Sequence, residues 1–146
     1  LIMGQVPGDM SLQGQDLTAF YEKAAAILWN KHRKPVFFRP HPHGKGRNFA
    51  PRIDTLENDL EAALEKAFLV VTHNSNSGVD AVVRGIPAVA MDKGSMAWAV
   101  TSHGLDDNIV KPDRTAWVHR LAHCQWTPEE ITQGAYWDRM NAIGKA

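Results

Sequence analysis

The sequence predicts an α/β fold, a Rossmann-like doubly wound parallel sheet of four to five strands with extra helices toward the C-terminus. Three observations support this prediction. Short apolar runs alternate with stretches of helical periodicity. The apolar runs do not alternate with polar residues, as is typical of strands buried on both faces of a parallel sheet. Each run is followed by a polar segment that contains glycine, which suits the ligand-facing edge of such a sheet.

The composition is that of an ordinary globular chain. Its 146 residues suit one domain, and its 16 basic and 16 acidic residues cancel, so no net field attracts nucleic acid or an anionic membrane. A single cysteine, Cys124, excludes a disulfide framework and favours a reducing compartment. No apolar run approaches the roughly 18–20 residues of a membrane span. We therefore expect a cytoplasmic protein without a membrane span.

The first elements follow from short local patterns. Residues 1–6 form an apolar run closed by Pro-Gly-Asp, which predicts a strand and a turn. Asp16 is expected to cap a helix over 17–29, because apolar residues recur there at helical spacing. The next apolar run, 35–38, predicts a second strand that ends at Arg39.

The middle of the chain repeats this alternation. A loop rich in proline, glycine, histidine and basic residues occupies 40–52, and a helix with an acidic start is predicted over 56–67. Apolar residues over 68–72 predict the third strand. A short helix over 77–84 is stopped by a glycine, and the fourth strand follows over 88–91.

The last third is predicted to be helical. A short helix over 96–102 follows a glycine turn, and a longer one over 112–124 is expected to open at Asp113. Thr127 is the expected cap of a further short helix, with proline at its first position.

The polar segments after the strands form the candidate site. Residues 72–78, Thr-His-Asn-Ser-Asn-Ser-Gly, lead from a strand into a helix. Helix-start N–H groups lack intrahelical partners and carry partial positive charge, so with Ser75, Asn76 and Ser77 they suit a phosphate. The alternative is that Ser75 or Ser77 only caps the helix, while Asn74 and Asn76 form the turn.

The loop after the second strand is the other candidate. Arg39 and His41 are held between prolines, and His43, Lys45 and Arg47 follow. A rigid loop with these side chains suits a diphosphate or phosphodiester, although a solvated basic loop is the alternative. His41 and His43 lack cysteine or carboxylate partners for a metal, so no metal site is predicted.

Three other groups have weaker patterns. His119 and His123 are four residues apart, but Arg120 stands where the zinc motif H-E-x-x-H requires glutamate, so a packed or surface pair is favoured. Cys124 is expected to be a buried or inert thiol. Trp98 lies near the expected ligand edge, where it would either stack on a ligand or pack within the fold.

Residues 75–89, "SNSGVDAVVRGIPAV", resemble the signature of the C-terminal, donor-binding domain of two-Rossmann-domain (GT-B) glycosyltransferases and sugar-nucleotide epimerases. That pattern has serine or threonine at a helix start, an acidic residue one turn on, Gly-x-Pro, and an apolar strand. The matching residues are Ser77, Asp80, Gly85 and Pro87. The "RPHP" segment at 39–42 resembles the His-Pro motif of capsule-type and sialyl-type transferases of this fold. The resemblance covers roughly residues 1–110, and Asp80 replaces the usual glutamate.

The resemblance implies a glycosyltransferase domain of polysaccharide biosynthesis that binds a nucleotide-sugar without a cofactor or metal. The donor phosphate would be held by Arg39, His41, Ser75, Asn76 and Ser77. The ribose or sugar would be held by Asp80, Gly4, Gly8, His73 and Ser95. The catalytic base would come from an N-terminal Rossmann domain, so 1–146 is expected to be one domain, the C-terminal half of a longer protein. The acceptor would be a glycan or another molecule.

Two other functions stay open at this point. One is a non-catalytic module that binds a nucleotide-sugar or serves assembly. The other is a sugar-nucleotide epimerase or hydrolase, which would need a base within this chain, with His73 or His43 the candidates.

Overall fold

A computed structural model describes residues 1–44, 52–56 and 59–143 of the chain. It contains a five-stranded, all-parallel sheet with flanking helices, so the predicted α/β Rossmann-like fold is confirmed. The chain divides into two compact units, Leu1–Asp113 and Arg114–Ala146. Among the described residues, no helix combines the length and apolarity needed to cross a membrane.

The sheet lies in the first unit. Its strands are β1 (Ile2–Met3), β2 (Phe37–Arg39), β3 (Asp54–Thr55), β4 (Val70–Thr72) and β5 (Ala88–Ala90). They are arranged in the order β3-β2-β1-β4-β5. In the central register Ile2 lies opposite both Phe38 and Val71, and Val71 lies opposite Val89. Because all five strands are parallel, their carboxyl ends meet at one edge, called here the carboxyl edge.

The edge strand β3 was not predicted, and the predicted start of the following helix is wrong. Asp54 and Thr55 are exposed and polar, so they lack the apolar pattern of a buried strand. Backbone pairing with β2 defines the strand instead, and the Leu56 N–H extends it by donating to the Phe38 carbonyl at 2.8 Å. Helix α2 spans Leu60–Glu65, and the carboxylate of Asp59 caps it by accepting from the Ala62 N–H.

Two other helices flank the sheet. Helix α1 spans Thr18–His32, and the Asp16 carboxylate accepts from the Thr18 N–H at 2.9 Å beside its start, near the predicted cap position. Helix α3 spans Ser77–Val83 and joins β4 to β5. Short 3-10 turns occur at Met10–Leu12, Pro42–Gly44 and Trp98–Val100.

The core lies between α1 and the sheet. Tyr21 of α1 is fully buried and packs on Phe38 of β2, with ring centroids 4.9 Å apart. Ile2 and Val71 of the central strands belong to the same cluster. Burial of these apolar side chains is the main stabilising term of the unit, and it fixes the positions of the strand ends.

The second unit is helical, with α4 (Thr115–His123), α5 (Pro128–Thr132) and α6 (Ala135–Ile143). The predicted cap Thr127 is confirmed: its hydroxyl accepts from the Glu130 N–H, and the Glu130 carboxylate accepts from the Thr127 N–H. Helix α4 has Arg114 at its N-cap position, one residue after the predicted Asp113.

Candidate functional site

The order of the strands reverses beside β1. The chain passes from β1 outward to β2 and β3, then returns to place β4 and β5 on the other side. Loops that leave β1 and β4 therefore run in opposite directions, which makes this the switch point where open α/β sheets form their ligand crevice, at the carboxyl edge. The residues that flank this crevice are Gly4 and Gln5 after β1, and His73 and Asn74 after β4.

Asn74 joins three strand-end loops. Its side-chain oxygen accepts from Gln5 Nε2 at 2.6 Å, and its backbone N–H donates to Gln5 Oε1 at 3.0 Å. Its Nδ2 group donates to the Ser11 carbonyl at 3.0 Å and to Asp92 Oδ1 at 3.2 Å. Both ends of the Asn74 amide are thus used within the protein, so the residue braces the site. Sequence reasoning did not assign these roles to Gln5 and Asp92, since no local pattern marks them.

Asp92 continues the brace beyond β5. Its Oδ1 atom also accepts from the Gly94 N–H at 2.8 Å. This bond, and then the bond from Asn74, lower the pKa of Asp92 below its ordinary value. The carboxylate therefore stays ionised and holds the loop after β5 against the loop after β4.

At the 75–77 turn, side-chain hydroxyls are better placed than backbone N–H groups to donate a hydrogen bond to a ligand. The Gly78 N–H donates to the Ser75 carbonyl at 3.0 Å, and the Ser77 N–H lies 3.3 Å from Ser75 Oγ. These N–H groups are already engaged within the turn. The Oγ atoms of Ser75 and Ser77 are 2.8 Å apart, and either one can donate to the other. In both arrangements one hydroxyl proton remains for an outside acceptor. Asn76 is exposed and makes no capping bond with its side chain.

The loop after β2 carries the imidazole ring of His41, which can donate a hydrogen bond. His41 Nδ1 accepts from the His43 N–H at 3.2 Å, so the proton of the neutral ring lies on Nε2, where it can be donated. Burial, then the charges of His43 and Arg39, lower the pKa of His41 below 6.5, and Asp9 partly opposes this. Lys45 and Arg47, the other predicted cations of this loop, lie outside the described residues.

The two predicted phosphate-binding loops flank the end of β1. One follows β2 and the other follows β4, and these strands lie on opposite sides of β1. Two strand spacings separate them by about 10 Å. The carbonyl of Arg39 accepts from the Gly4 N–H at 2.8 Å, which ties the first loop to β1. A ligand that touches both loops must therefore extend across the end of β1.

Gly4 and Gly8, the two glycines predicted at this edge, are needed for different structural reasons. A Cβ on Gly4 would lie 2.7 Å from Phe38 Cζ and 3.1 Å from the Arg39 carbonyl oxygen, so a side chain there would force β1 and β2 apart. Gly8 has φ +79° in an exposed turn, and a Cβ there would meet nothing within 4 Å. Gly4 is thus explained by packing and Gly8 by its backbone conformation.

Three predicted sugar-binding side chains lie in different settings. His73 is half-buried beside the crevice, edge-on to Phe20 at 6.4 Å. Ser95 is buried, and its Oγ accepts from the Ala97 N–H at 3.3 Å. Asp80 lies one turn into α3, where a carboxylate oxygen is 4.0 Å from Arg84 Nη1. Of the three, His73 lies directly at the switch point.

The position of the Thr72 side chain explains why residue 78 of the motif is glycine. Its hydroxyl is buried, with no hydrogen-bond partner among the described residues, and lies 3.3 Å from the position of a Cβ on Gly78. The absence of a side chain at Gly78 lets α3 approach the end of β4 closely.

Trp98 is stacked within the protein. Its ring lies parallel to that of His103, with centroids 3.6 Å apart, and His103 Nε2 is 2.8 Å from the Trp98 carbonyl. One face of Trp98 is therefore covered, which supports a packing role over stacking on a ligand.

The structure also bears on the candidate metal ligands and on the single cysteine. No three His, Cys, Asp or Glu side chains within the described ranges come together as metal ligands do. His119 and His123 are both exposed on α4, as the surface-pair interpretation expected. Cys124 is also exposed, at the C-cap of α4, so of the two alternatives, a buried or an inert thiol, the buried one is wrong.

Comparisons with protein-family models, with curated proteins and with solved structures give no match for this chain.

Proposed function

We propose that this chain is the donor-binding domain of a glycosyltransferase and that it binds a nucleotide-sugar at the carboxyl edge. The observation that carries the proposal is the switch point between β1 and β4, whose two walls are joined through Gln5 and Asn74. Open α/β sheets bind their ligands at such points. A crevice whose walls are already fixed binds a ligand at lower entropic cost than one assembled on binding.

The donors beside the crevice suit the phosphate of a nucleotide-sugar. The Arg39 guanidinium and the His41 ring follow β2, and the hydroxyl pair of Ser75 and Ser77 follows β4. Arginine, imidazole and hydroxyl groups all donate to phosphate oxygens, and arginine does so with a charge that does not titrate. In the proposed complex the donor lies across the end of β1, with one loop on each side.

These donors also suit the chemistry of glycosyl transfer. When the bond from sugar to leaving phosphate breaks, negative charge accumulates on the phosphate oxygens. Prepositioned donors that bind this charge more strongly in the transition state than in the ground state lower the barrier. In our proposal Arg39, His41 and the serine hydroxyls perform this task without a metal. A second Rossmann domain supplies the base and the site for a glycan or other acceptor.

The elements fall where the glycosyltransferase pattern requires them. Helix α3 begins at Ser77 and ends at Val83, Gly85 has φ +78°, and Pro87 directly precedes β5. This supports the proposal through sequence and local structure together. Asp80 is assigned to the ribose only through the pattern. In the fold its carboxylate lies 4.0 Å from Arg84, which also pairs with Glu61.

Calorimetric titration of the 146-residue chain with UDP-, GDP- and CMP-sugars tests the proposal. We expect saturable binding of one of them. Ser75→Ala and His41→Ala should each weaken it by about 1–3 kcal/mol, the usual range for a lost bond to a charged group. His119→Ala, a change on exposed α4, is the matched control and should leave affinity unchanged. A folded protein that binds none of the three donors would refute the proposal.

A further inference from the structure

A cavity of about 520 Å³ lies at the opposite edge of the sheet, beside the amino ends of β1, β2 and β4. Its described walls are mostly apolar and include Leu28 of α1, Ala63 of α2, and Val36 and Leu69 next to the strands. This volume is within the range of small-molecule sites, and apolar walls are typical of them. We call it the amino-edge cavity.

Two phenylalanines of the cavity are unusually exposed. Phe37 exposes 38% and Phe68 50% of its surface, and both line the cavity. A single exposed apolar side chain is common, but two exposed aromatic rings on the wall of one cavity favour a ligand-binding surface.

The rest of the lining gives the cavity a positive charge. The ionisable groups of the lining are His32, Lys34, Lys66 and the amino group of Leu1, whose pKa burial lowers to about 6, and none of the described lining residues is acidic. Lys34 Nζ lies 4.9 Å from the centre of the Phe68 ring, and His32 is edge-on to that ring at 5.7 Å. In the described part of the chain, neither lysine forms an ion pair with a carboxylate. Burial, and then Lys31 and Lys34, lower the pKa of His32, consistent with a surplus of positive charge here.

We propose that the amino-edge cavity binds a small amphipathic anion, a hydrocarbon chain with one carboxylate, as in a medium-chain fatty acid. The chain lies against Val36, Leu69 and the two phenylalanine rings. The carboxylate lies at the rim, between Lys34 and Lys66. Charge complementarity selects this occupant, because a carboxylate is attracted by both ammonium groups, a neutral hydrocarbon is not, and a cation would be repelled. The site lies at the opposite end of the strands from the proposed donor site and shares no lining residue with it.

Calorimetric titration of the 146-residue chain with decanoate, octanoate and decylammonium tests this site. We expect decanoate to bind roughly 10-fold more tightly than octanoate, because each buried methylene contributes about 0.8 kcal/mol. Decylammonium has the same tail and the opposite charge, and should bind at least roughly 10-fold more weakly than decanoate. Equal affinity for decanoate and decylammonium, or no saturable binding of decanoate, would overturn the proposal.

Paired lysine variants separate a defined site from a general charge effect. Lys34→Glu combined with Lys66→Glu should weaken decanoate binding roughly 10-fold or more. Lys23→Glu combined with Lys93→Glu makes the same charge change at exposed positions outside the cavity, and should leave it nearly unchanged. Ala67→Leu is a second probe, which fills the cavity without changing charge and should also reduce binding. Equal effects of the two lysine pairs, with full binding in Ala67→Leu, would contradict a built site.

Discussion

Gln5 and Asn74 are joined by two hydrogen bonds across the carboxyl ends of β1 and β4, one from Gln5 Nε2 to Asn74 Oδ1 and one from the Asn74 N–H to Gln5 Oε1. Gln5 is buried, which strengthens both bonds and makes the loss of either costly. The pair fixes the distance between the walls of the crevice. In our proposal the site is therefore preorganised, and the donor does not have to order it.

Asn74→Asp should lower the free energy of unfolding by about 1–3 kcal/mol. The substitution keeps the shape and the acceptor for Gln5. It removes the amide donor to the Ser11 carbonyl and places a second carboxylate 3.2 Å from Asp92, where Nδ2 now donates. Urea denaturation near neutral pH measures the change.

Adding Asp92→Asn to this variant should recover part of the loss, because an amide and a carboxylate again face each other with their positions exchanged. Asp92→Asn alone should be destabilising as well, since two facing amides lose the charge-assisted bond. Comparing the double variant with the two single ones gives the coupling energy. Strictly additive costs would mean that the two side chains do not interact in solution.

Gly4→Ala should destabilise the protein by about 1–3 kcal/mol, the usual cost of overpacking. The new Cβ would lie 2.7 Å from Phe38 Cζ, and Phe38 is fully enclosed by the core. Gly44→Ala is the matched control, because its Cβ would meet neighbours only at 3.9 and 4.0 Å. That control should stay within about 0.5 kcal/mol of the parent. Denaturant midpoints of the two variants give the comparison, and equal midpoints would show that β1 and β2 separate easily.

Tyr21→Phe should cost about 1–3 kcal/mol even though the ring and its packing are kept. The Tyr21 hydroxyl accepts from the buried N–H of Gln5 at 3.1 Å, so the variant leaves that N–H without a partner. Burial raises the pKa of Tyr21 to about 12, so its hydroxyl remains protonated at all working pH values. Faster amide exchange at Gln5, beside a lower unfolding free energy, is the expected result. Tyr136→Phe removes a tyrosine hydroxyl from the helical unit and is the control.

Much of the fold could be predicted because buried parallel strands have a distinctive pattern. The four apolar runs correspond to β1, β2, β4 and β5. The edge strand β3 could not be found in this way, because Asp54 and Thr55 are exposed and are held by backbone bonds to β2. Any residue pair can form such bonds, so the side chains give no signal.

The sequence also predicted that the candidate site lies at the carboxyl edge, but it did not predict the hydrogen bonds within that site. Gln5 and Asn74 are 69 positions apart, and no local pattern shows that such a pair will meet. The N–H groups of the 75–77 turn are a second case. Whether these N–H groups form hydrogen bonds within the turn depends on its backbone conformation, which the residue types do not fix.

Binding of a nucleotide-sugar should strengthen as the pH falls from about 7.5 to 5.5, if His41 holds its phosphate. The free ring has a pKa below 6.5, mainly because of burial. A bound anion stabilises the imidazolium, so the pKa of His41 rises on binding and the complex takes up a proton. Affinity therefore increases as the pH drops through the pKa of the complex, and it levels off below the pKa of the free protein. Calorimetry in buffers of different ionisation enthalpy measures the proton uptake directly.

His41→Gln should remove this pH dependence while keeping a neutral donor in the loop. The nearby groups that also carry charge are Asp9, Arg39 and His43, and His43 is the other imidazole among them. His43→Gln is therefore the necessary control, and it should retain most of the dependence. The phosphodiester or diphosphodiester of a nucleotide-sugar has no ionisation of its own between about pH 5 and 8, so the phosphate of the donor contributes none. If His41→Gln binds the donor with an unchanged pH profile, the imidazole does not touch the phosphate, and the contact passes to Arg39 and the serine hydroxyls.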